Sequence, residues 1–476
     1  MKPLKASDFS SFFRRVYRQD PFPWQQRLAA EVLTDGWPDV IALPTASGKT
    51  SVIDIAVFSL ACQWDLPSGE RRAPRRIFFV VDRRIVVDAV FERAQLLASA
   101  LAEAKEGVVG VVAEKLRRLA GGSEPLGRAV LRGGLYRDDA WARTPTQPMI
   151  VASTVDQVGS RLLYRGYGLS PASHPLHAGL IGNDSLIVVD EAHCSEPFAQ
   201  TLHAIERYRA WGERPPALPF AAVIMSATPP KRGRARVFRL DADDREHAEL
   251  GARIRVAKPV RLIAAERGTS GRITEGLIAT LAGEAEQLAR GSEPKAVAII
   301  ANRVASAIAV YERLAARTDA DAVLLTGRMR PLDRYQTERD LQKRLTVSGR
   351  DKHPLPRTLF VVATQCIEVG ADFDFDAMVT ECASLDALRQ RFGRLNRAAR
   401  LTSAPGIVVV RPDQTQPLRD LDEADPVYGN ALPETWQWLS ANARDGVVDF
   451  GIAALDRLMA RNADRATLDR LIMSLP

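Results

Sequence analysis

Two α/β units in series, each a parallel sheet flanked by helices, are what this sequence predicts. Three observations carry that expectation. Short, strongly apolar runs recur along the chain with helix-length stretches between them. The runs do not alternate apolar with polar residues, so they read as strands buried on both faces. The series lapses once, in a charge-dense stretch, and then resumes, and 476 residues are too many for one ordinary domain.

Residues 1–39 read as an N-terminal helical segment. Phe9, Phe12, Phe13, Val16 and Tyr17 recur at helical spacing, Pro21-Phe22-Pro23 ends that helix, and Trp24-Gln25 opens the next. The first α/β unit spans 40–235. Its strands fall at 40–43, 77–81, 149–152, 186–189 and 221–225, and a helical pattern runs from Asp88 to about Lys105. Another apolar run follows at 108–112, and 121–148, rich in Gly, Pro and Arg, reads as irregular. Residues 236–258 read as a linker, with Asp241-Ala242-Asp243-Asp244 in the middle. The second unit spans 259–412, with strands at 297–300, 323–325, 359–363, 378–379 and 407–410. Residues 413–476 read as a small helical C-terminal segment without chemistry of its own.

Hydrophobic residues make up 46% and charged residues 26%, a globular composition with ample material for cores. A net charge of +7 leans toward a polyanionic partner, although many basic proteins bind no nucleic acid. The four cysteines form no C-x-x-C pair, which argues against a disulfide framework or zinc site. No apolar run approaches the ~20 residues of a membrane span, and no signal peptide precedes the first unit. The expectation is a cytoplasmic protein with no membrane contact.

Pro44-Thr45-Ala46-Ser47-Gly48-Lys49-Thr50 lies between a strand and a helix, where a phosphate-binding loop must lie. Backbone N–H groups face the phosphates there, Lys49 reaches the β/γ oxygens, and the Thr50 hydroxyl suits Mg²⁺. Ala46 stands where such loops often carry Gly, and it follows the loop only if its φ stays negative. Asp190-Glu191-Ala192-His193 ends a buried strand. Asp190 is assigned to the metal and Glu191 to the attacking water. Ser226-Ala227-Thr228 ends a third strand. Gln390-Arg391-Phe392-Gly393-Arg394-Leu395-Asn396-Arg397 spaces three arginines by three, which on a helix sets them along one face. Arginines there can neutralise charge on a γ-phosphate, and an ordinary basic surface helix would show the same spacing. Ala363-Thr364-Gln365 and Glu368-Val369-Gly370-Ala371-Asp372 read as a conformational loop.

In this order the motifs resemble a superfamily 2 helicase. Ser153-Thr154-Val155-Asp156-Gln157, Arg165-Gly166-Tyr167-Gly168, Val81-Asp82-Arg83-Arg84 and Gly327-Arg328-Met329-Arg330-Pro331 narrow the likeness to the CRISPR-associated helicase of type I systems, nearest the type I-U (I-G) branch, over about residues 20–412. The resemblance implies two tandem RecA-like domains and an ATP- and Mg²⁺-dependent 3′-to-5′ single-stranded-DNA translocase. It implies recruitment to an R-loop by Cascade, an RNA-guided surveillance complex. Gln25 would contact adenine, with Thr45 to Thr50 and Asp372 completing the ATP site. Arg394 and Arg397 would be arginine fingers, and Gln390 would lie near the γ-phosphate. Asp82, Arg83, Arg84, Ser153, Thr154, Asn302, Arg303 and Thr364 would line the DNA path.

One departure matters. The family's HD nuclease needs a His-Asp dipeptide, and the six histidines here are followed by Pro, Ala, Cys, Ala, Ala and Pro. His174 and His177, flanked by Pro171 and Pro175, read as a surface loop. No nuclease is therefore expected in this chain, and one would be a separate polypeptide or a fused domain. Two rivals remain: another superfamily 2 DNA-repair or RNA helicase, and a nucleotide-gated clamp that does not translocate.

Overall fold

The apolar runs become the strands of two parallel sheets. The computed structural model describes residues 3–82, 84–133, 139–190, 196–214, 216–226, 235–268, 273–346, 354–368, 373–416 and 425–472. The chain divides into two compact units, Met1–Leu250 and Gly251–Pro476.

Unit 1 holds β1 (Val40–Ala42), β2 (Arg76–Val81), β3 (Gly127–Leu131), β4 (Met149–Thr154), β5 (Ser185–Asp190), β6 (Phe220–Met225) and β7 (Val237–Arg239). Their spatial order is β3-β4-β2-β5-β6-β1-β7, and every neighbouring pair is parallel. Unit 2 holds β8 (Pro259–Ala264), β9 (Ala296–Ile300), β10 (Ala320–Leu325), β11 (Thr358–Ala363), β12 (Ala377–Glu381), β13 (Gly406–Val410) and β14 (Val447–Asp449). Their order is β10-β11-β9-β12-β13-β8-β14. The permutation is the same in both units. They differ at one edge: β7 runs parallel to β1, whereas β14 runs antiparallel to β8.

Burial explains the unbroken apolar runs. Every residue of β2 and of β9 is buried, because helices cover both faces of each sheet. In unit 1, Phe9 and Phe12 of the helix Asp8–Tyr17 pack on Phe58 of the helix Val52–Cys62, each at 5.5 Å between ring centroids. The helical N-terminal segment is thus wedged behind the helix that leaves the phosphate loop.

Four sequence expectations need correction. The run at 108–112 lies within a helix, Gly107–Ala120, closed by Gly121 at φ 71°. Five consecutive apolar or small residues do not distinguish a buried helix from a strand. The stretch 121–148 contains strand β3 and the helix Ala140–Arg143, whose Trp141 is buried against Phe78 at 5.6 Å. A Cβ on Gly127, at the head of β3, would lie 2.7 Å from Met149 Sδ and would need that side chain to move aside. The expected linker 236–258 is largely folded, as β7 and the helices Ala242–Glu246 and Ala248–Arg255. Its charges are structural: Asp241 and Asp244 cap the first helix, and both pair with Arg27. Finally, 413–476 is more than a helical appendage. It supplies β14, and Leu432, Leu439, Phe450 and Leu455 belong to the same core as β11 and β13. Among the described residues, no helix is long and apolar enough to cross a membrane.

Candidate nucleotide site and arginine segment

Register alignment sets the strand ends of each sheet along one edge. In unit 1, Val81 pairs with Thr154, and Asp190 with Met225. In unit 2, Ile300 pairs with Ala363 and Ala363 with Leu325. Every described residue assigned to a site lies at or just past one of these carboxyl edges, where open α/β sheets bind ligands, or in the helix and turn that follow, except Gln25 on its N-terminal helix.

The phosphate loop leaves β1, whose Val40 and Ile41 are fully buried between β6 and β7. Trp24 Nε1 donates to the Ser47 carbonyl at 2.9 Å, and the Ser47 hydroxyl donates to the Pro44 carbonyl at 2.8 Å. Gln25 Nε2 donates to Ser51 Oγ at 2.8 Å, and its Oε1 accepts from Phe22 N at 2.9 Å. Gly48 has φ 78°, and a Cβ there would crowd Gln25 Nε2 at 3.1 Å, so both backbone and space call for glycine. Both ends of the Gln25 amide are engaged in this geometry, so it braces the loop. Ala46 has φ 62°. The condition set for it, a negative φ, is not met; the Trp24–Ser47 and Ser47–Pro44 bonds close the loop around it and hold the left-handed turn.

A single turn of 3₁₀ helix, Lys49–Ser51, leads into the helix Val52–Cys62. Lys49 Nζ meets Asp190 Oδ1 at 3.5 Å, with the two side chains only 10% and 17% exposed. The structure thereby brings together two residues that the sequence holds far apart. Thr50 and Thr45 are half-buried. Past the end of β6, Ser226 N donates to the Ile41 carbonyl at 3.2 Å, tying that strand end to β1. Glu191, Ala227 and Thr228 lie outside the described residues.

Mg²⁺ takes hard oxygen ligands and is usually held by one or two carboxylates together with substrate phosphates. The oxygen donors here fit that pattern: the strand-end carboxylate of Asp190 and the hydroxyl of Thr50, with the Lys49 ammonium left to pair with phosphate. Among the described residues no group of three or more His, Cys, Asp or Glu side chains is placed to hold a metal alone.

In unit 2 the arginine motif does not form one helical face. The helix Leu385–Phe392 stops at Gly393, so Arg391 lies within it while Arg394 and Arg397 follow it. Arg391 is wholly buried. Its guanidinium donates to Glu368 Oε1 (2.9 Å), Thr380 Oγ1 (2.7 Å), the Glu381 carbonyl (2.8 Å), Asn302 Oδ1 (3.0 Å) and Tyr428 OH (2.7 Å). Burial works against its charge, but Tyr428 and Glu368 outweigh that and hold its pKa above the usual value. Burial likewise pushes the Tyr428 phenol and the Glu381 carboxyl up.

The segment after the helix is clamped. Arg394 donates to the Glu368 carbonyl at 3.0 Å, and the Arg397 backbone N–H donates to Asp374 Oδ1 at 2.6 Å. Asn396, at φ 43°, bonds Leu401 in both directions. Lys258 Nζ donates to the Phe392 carbonyl at 2.8 Å. Burial, reinforced by Arg397, pulls the Lys258 ammonium down to about 7. Gln390 is half-buried on the same helix. Asp372 lies outside the described residues.

Several residues assigned to the DNA path are buried. Ser153 Oγ donates to the Leu131 carbonyl at 3.1 Å, and Asn302 is held by Cys382 and Arg391. Thr154 and Thr364 are also buried. Asp82 is exposed and Arg303 half-exposed, the latter 3.9 Å from Asp425. Arg83 and the side chain of Arg84 lie outside the described residues.

Sequence reasoning missed Glu368, Asp374, Lys258 and Tyr428 as parts of this assembly. Glu368 sits in a motif already singled out, and its opposite charge to Arg391 was the available signal. Tyr428 gave none.

Two sheets of one strand order, with a phosphate loop beside a strand-end carboxylate in the first and a Gln-Arg-x-Gly-Arg segment in the second, make a tandem RecA-like fold. Within that class the chain is similar to Cas3 proteins. Residues 293–400 match the family described as CRISPR-associated nuclease/helicase Cas3, C-terminal. The CRISPR-associated nuclease/helicase Cas3 of Methanothermobacter thermautotrophicus is 26% identical over 386 residues, covering 79% of this chain and 40% of that protein. The CRISPR-associated endonuclease/helicase Cas3 of Escherichia coli is 24% identical over 401 residues, covering 77% and 42%. The crystal structure of T. fusca Cas3-AMPPNP superposes with a TM-score of 0.65 at 19% identity, over 96% of this chain and 53% of that one. The chain therefore spans about half or less of the length of the relatives it matches.

Proposed function

We propose that this chain is an ATP-driven 3′-to-5′ motor on single-stranded DNA, recruited to an R-loop by an RNA-guided surveillance complex in type I CRISPR interference. The observation that carries the ATPase part is the Lys49–Asp190 contact at 3.5 Å beside a braced phosphate loop. Support for the partner comes from a chain in a structure of a CRISPR RNA-guided surveillance complex, pre-nicking, similar at 18% identity with a TM-score of 0.58.

The loop amides and Lys49 would hold the ATP phosphates, with Thr50 and Asp190 holding Mg²⁺. That ion would neutralise charge on the phosphate oxygens. Glu191 would orient the attacking water, and Gln390, Arg394 and Arg397 are the groups unit 2 would offer the γ-phosphate. Gln25 would meet adenine while keeping the loop braced. The strand would be held by its backbone at the carboxyl edges, through Arg83, Arg84, Arg303 and the chain at Thr154 and Thr364, which gives marked salt dependence and little sequence preference. Strand cleavage is not assigned to these residues.

Lys49→Ala is expected to abolish DNA-stimulated ATP turnover while single-strand binding persists. Undiminished turnover would end the phosphate-loop assignment. RNA stimulating turnover as well as DNA would favour a different superfamily 2 helicase. Turnover without streptavidin displacement from an end-labelled strand would leave a clamp. The same preparation given Mn²⁺ is expected to leave the strand uncut.

A further inference from the structure

A surface in unit 1 remains that none of the assigned roles uses. The helix Val155–Leu162 starts at Thr154, on the carboxyl edge of β4. It ends in a tight reversal: Tyr164 N donates to the Arg161 carbonyl at 3.1 Å and Arg165 N to the Ser160 carbonyl at 2.7 Å. This is the paired bond pattern of a helix C-terminus whose left-handed residue is usually glycine. Here it is Tyr164, at φ 58°. Gly168, at φ 64°, turns the chain again, and a Cβ at Gly166 would push the Leu169 side chain aside. The loop conformation is therefore set by its own backbone and packing.

What the loop displays is unusual for a surface. Tyr164 is 60% exposed and Tyr167 62%, with Leu163 and Leu176 also exposed. Arg165 stands exposed between the tyrosines. From Gln157 to Asn183 the sequence contains arginines 161 and 165 and no aspartate or glutamate. A strained tyrosine whose ring buries little in its own chain gains nothing from folding alone. Two exposed tyrosines on either side of an exposed arginine in sequence, in a stretch without carboxylates, suit a polyanion that carries flat π-faces. That is the chemistry of unpaired bases on a phosphate backbone. The eight-residue helix is only about 12 Å long, so the loop lies within reach of a strand passing Thr154.

We propose that Tyr164, Arg165 and Tyr167 form a stacking platform for unpaired bases of a single nucleic-acid strand, distinct from the carboxyl-edge contacts. The platform rests on the reading of this chain as a nucleic-acid motor. The absence of acidic groups from Gln157 to Asn183 favours a strand over a protein partner.

The test compares two labelled oligonucleotides of equal length, oligo(dT) and a fully abasic strand, by fluorescence anisotropy on the intact chain. Wild type is expected to prefer the strand with bases. Tyr164→Ala/Tyr167→Ala is expected to bind oligo(dT) about 10-fold or more weakly, to bind the abasic strand as wild type does, and to melt at the same temperature. Tyr164→Phe/Tyr167→Phe keeps both rings and is expected to restore the preference. Arg165→Ala is expected to weaken both strands and to lower the salt slope by about one. Wild type binding oligo(dT) with the double alanine variant equal to it overturns the platform and leaves that surface to a protein partner, with the motor reading intact. Wild type binding neither strand sinks both. Loss of binding to both strands by the double variant would show a structural role, and would also overturn stacking.

Discussion

Ala46 carries the clearest unresolved cost at the level of single residues. An L-residue in the left-handed region loses roughly 1–2 kcal/mol, and at φ 62° Ala46 is there because the loop closes around it. Ala46→Gly removes the Cβ that causes the strain while returning some backbone entropy to the unfolded chain. A net gain of about 1 kcal/mol is expected in denaturant unfolding, with ATP turnover retained. Unchanged or lower stability would show that Ala46 earns its place by packing. The loop also shows what a sequence can and cannot convey at this scale. Lys49, Thr50 and Asp190 were legible because phosphate chemistry demands those groups at strand ends. The φ of Ala46 was not, because it depends on where Trp24 and Ser47 bond. Arg391 and Arg394 look equivalent in the motif, yet one is sealed among Glu368, Asn302 and Tyr428 and the other is not. The difference is decided by Gly393, where the helix stops.

Elements were legible wherever burial on both faces made a strand uniformly apolar, and much less so elsewhere. Edge strands β3, β7 and β14 are short or polar. The helix Gly107–Ala120 opens on an apolar run too short to reveal its period. Charge density at 236–258 suggested solvent, but Asp244 is buried and paired with Arg27. The helix Leu385–Phe392 shows how such hidden charges act on function. Lys258 caps its last carbonyl and faces Arg397, Asp374, Asp449 and Arg394. Burial brings its folded pKa down to about 7, against the usual 10.5 of a lysine. Between those values the unfolded chain binds a proton at this site that the folded chain does not. Folding therefore gains stability from this group as pH rises through that window, and loses it as pH falls toward 7. Lys258→Met removes the titration and leaves a pH-independent loss of one donor. The stability of wild type relative to this variant is expected to rise between pH 7 and 9.5 in unfolding curves. Parallel curves across that range would mean Lys258 does not titrate there.

At the scale of the whole molecule, the repeated strand permutation is the strongest structural statement the chain makes. Two sheets with the order third-fourth-second-fifth-sixth-first-seventh bring corresponding strand ends to corresponding edges. Only the first unit follows its first strand with Gly-Lys-Thr; after β8 the chain reads Ala265-Glu266-Arg267-Gly268. One unit thus carries the phosphate loop and the other the arginine segment. The alternation of strands and helices announced this tandem plan but did not count 413–476 within it. The structure does. Residues 447–449 form the edge strand on β8, Tyr428 bonds Arg391 and Glu368, and Leu432 and Leu439 are fully buried. Removing them would expose one side of the unit 2 core and leave Arg391 with one fewer buried acceptor. Losing several fully buried aliphatic side chains costs about 2–5 kcal/mol each, comparable in sum to the entire stability of a domain. A chain ended at residue 412 is therefore expected to keep unit 1 folded and to lose cooperative unfolding of unit 2, seen as a missing transition in calorimetry. ATP turnover should fall with it, because the Gly393-to-Arg397 segment then lacks the buried Arg391 network that anchors it. A shortened chain that unfolds and hydrolyses ATP as the full one does would return 413–476 to the status of an appendage.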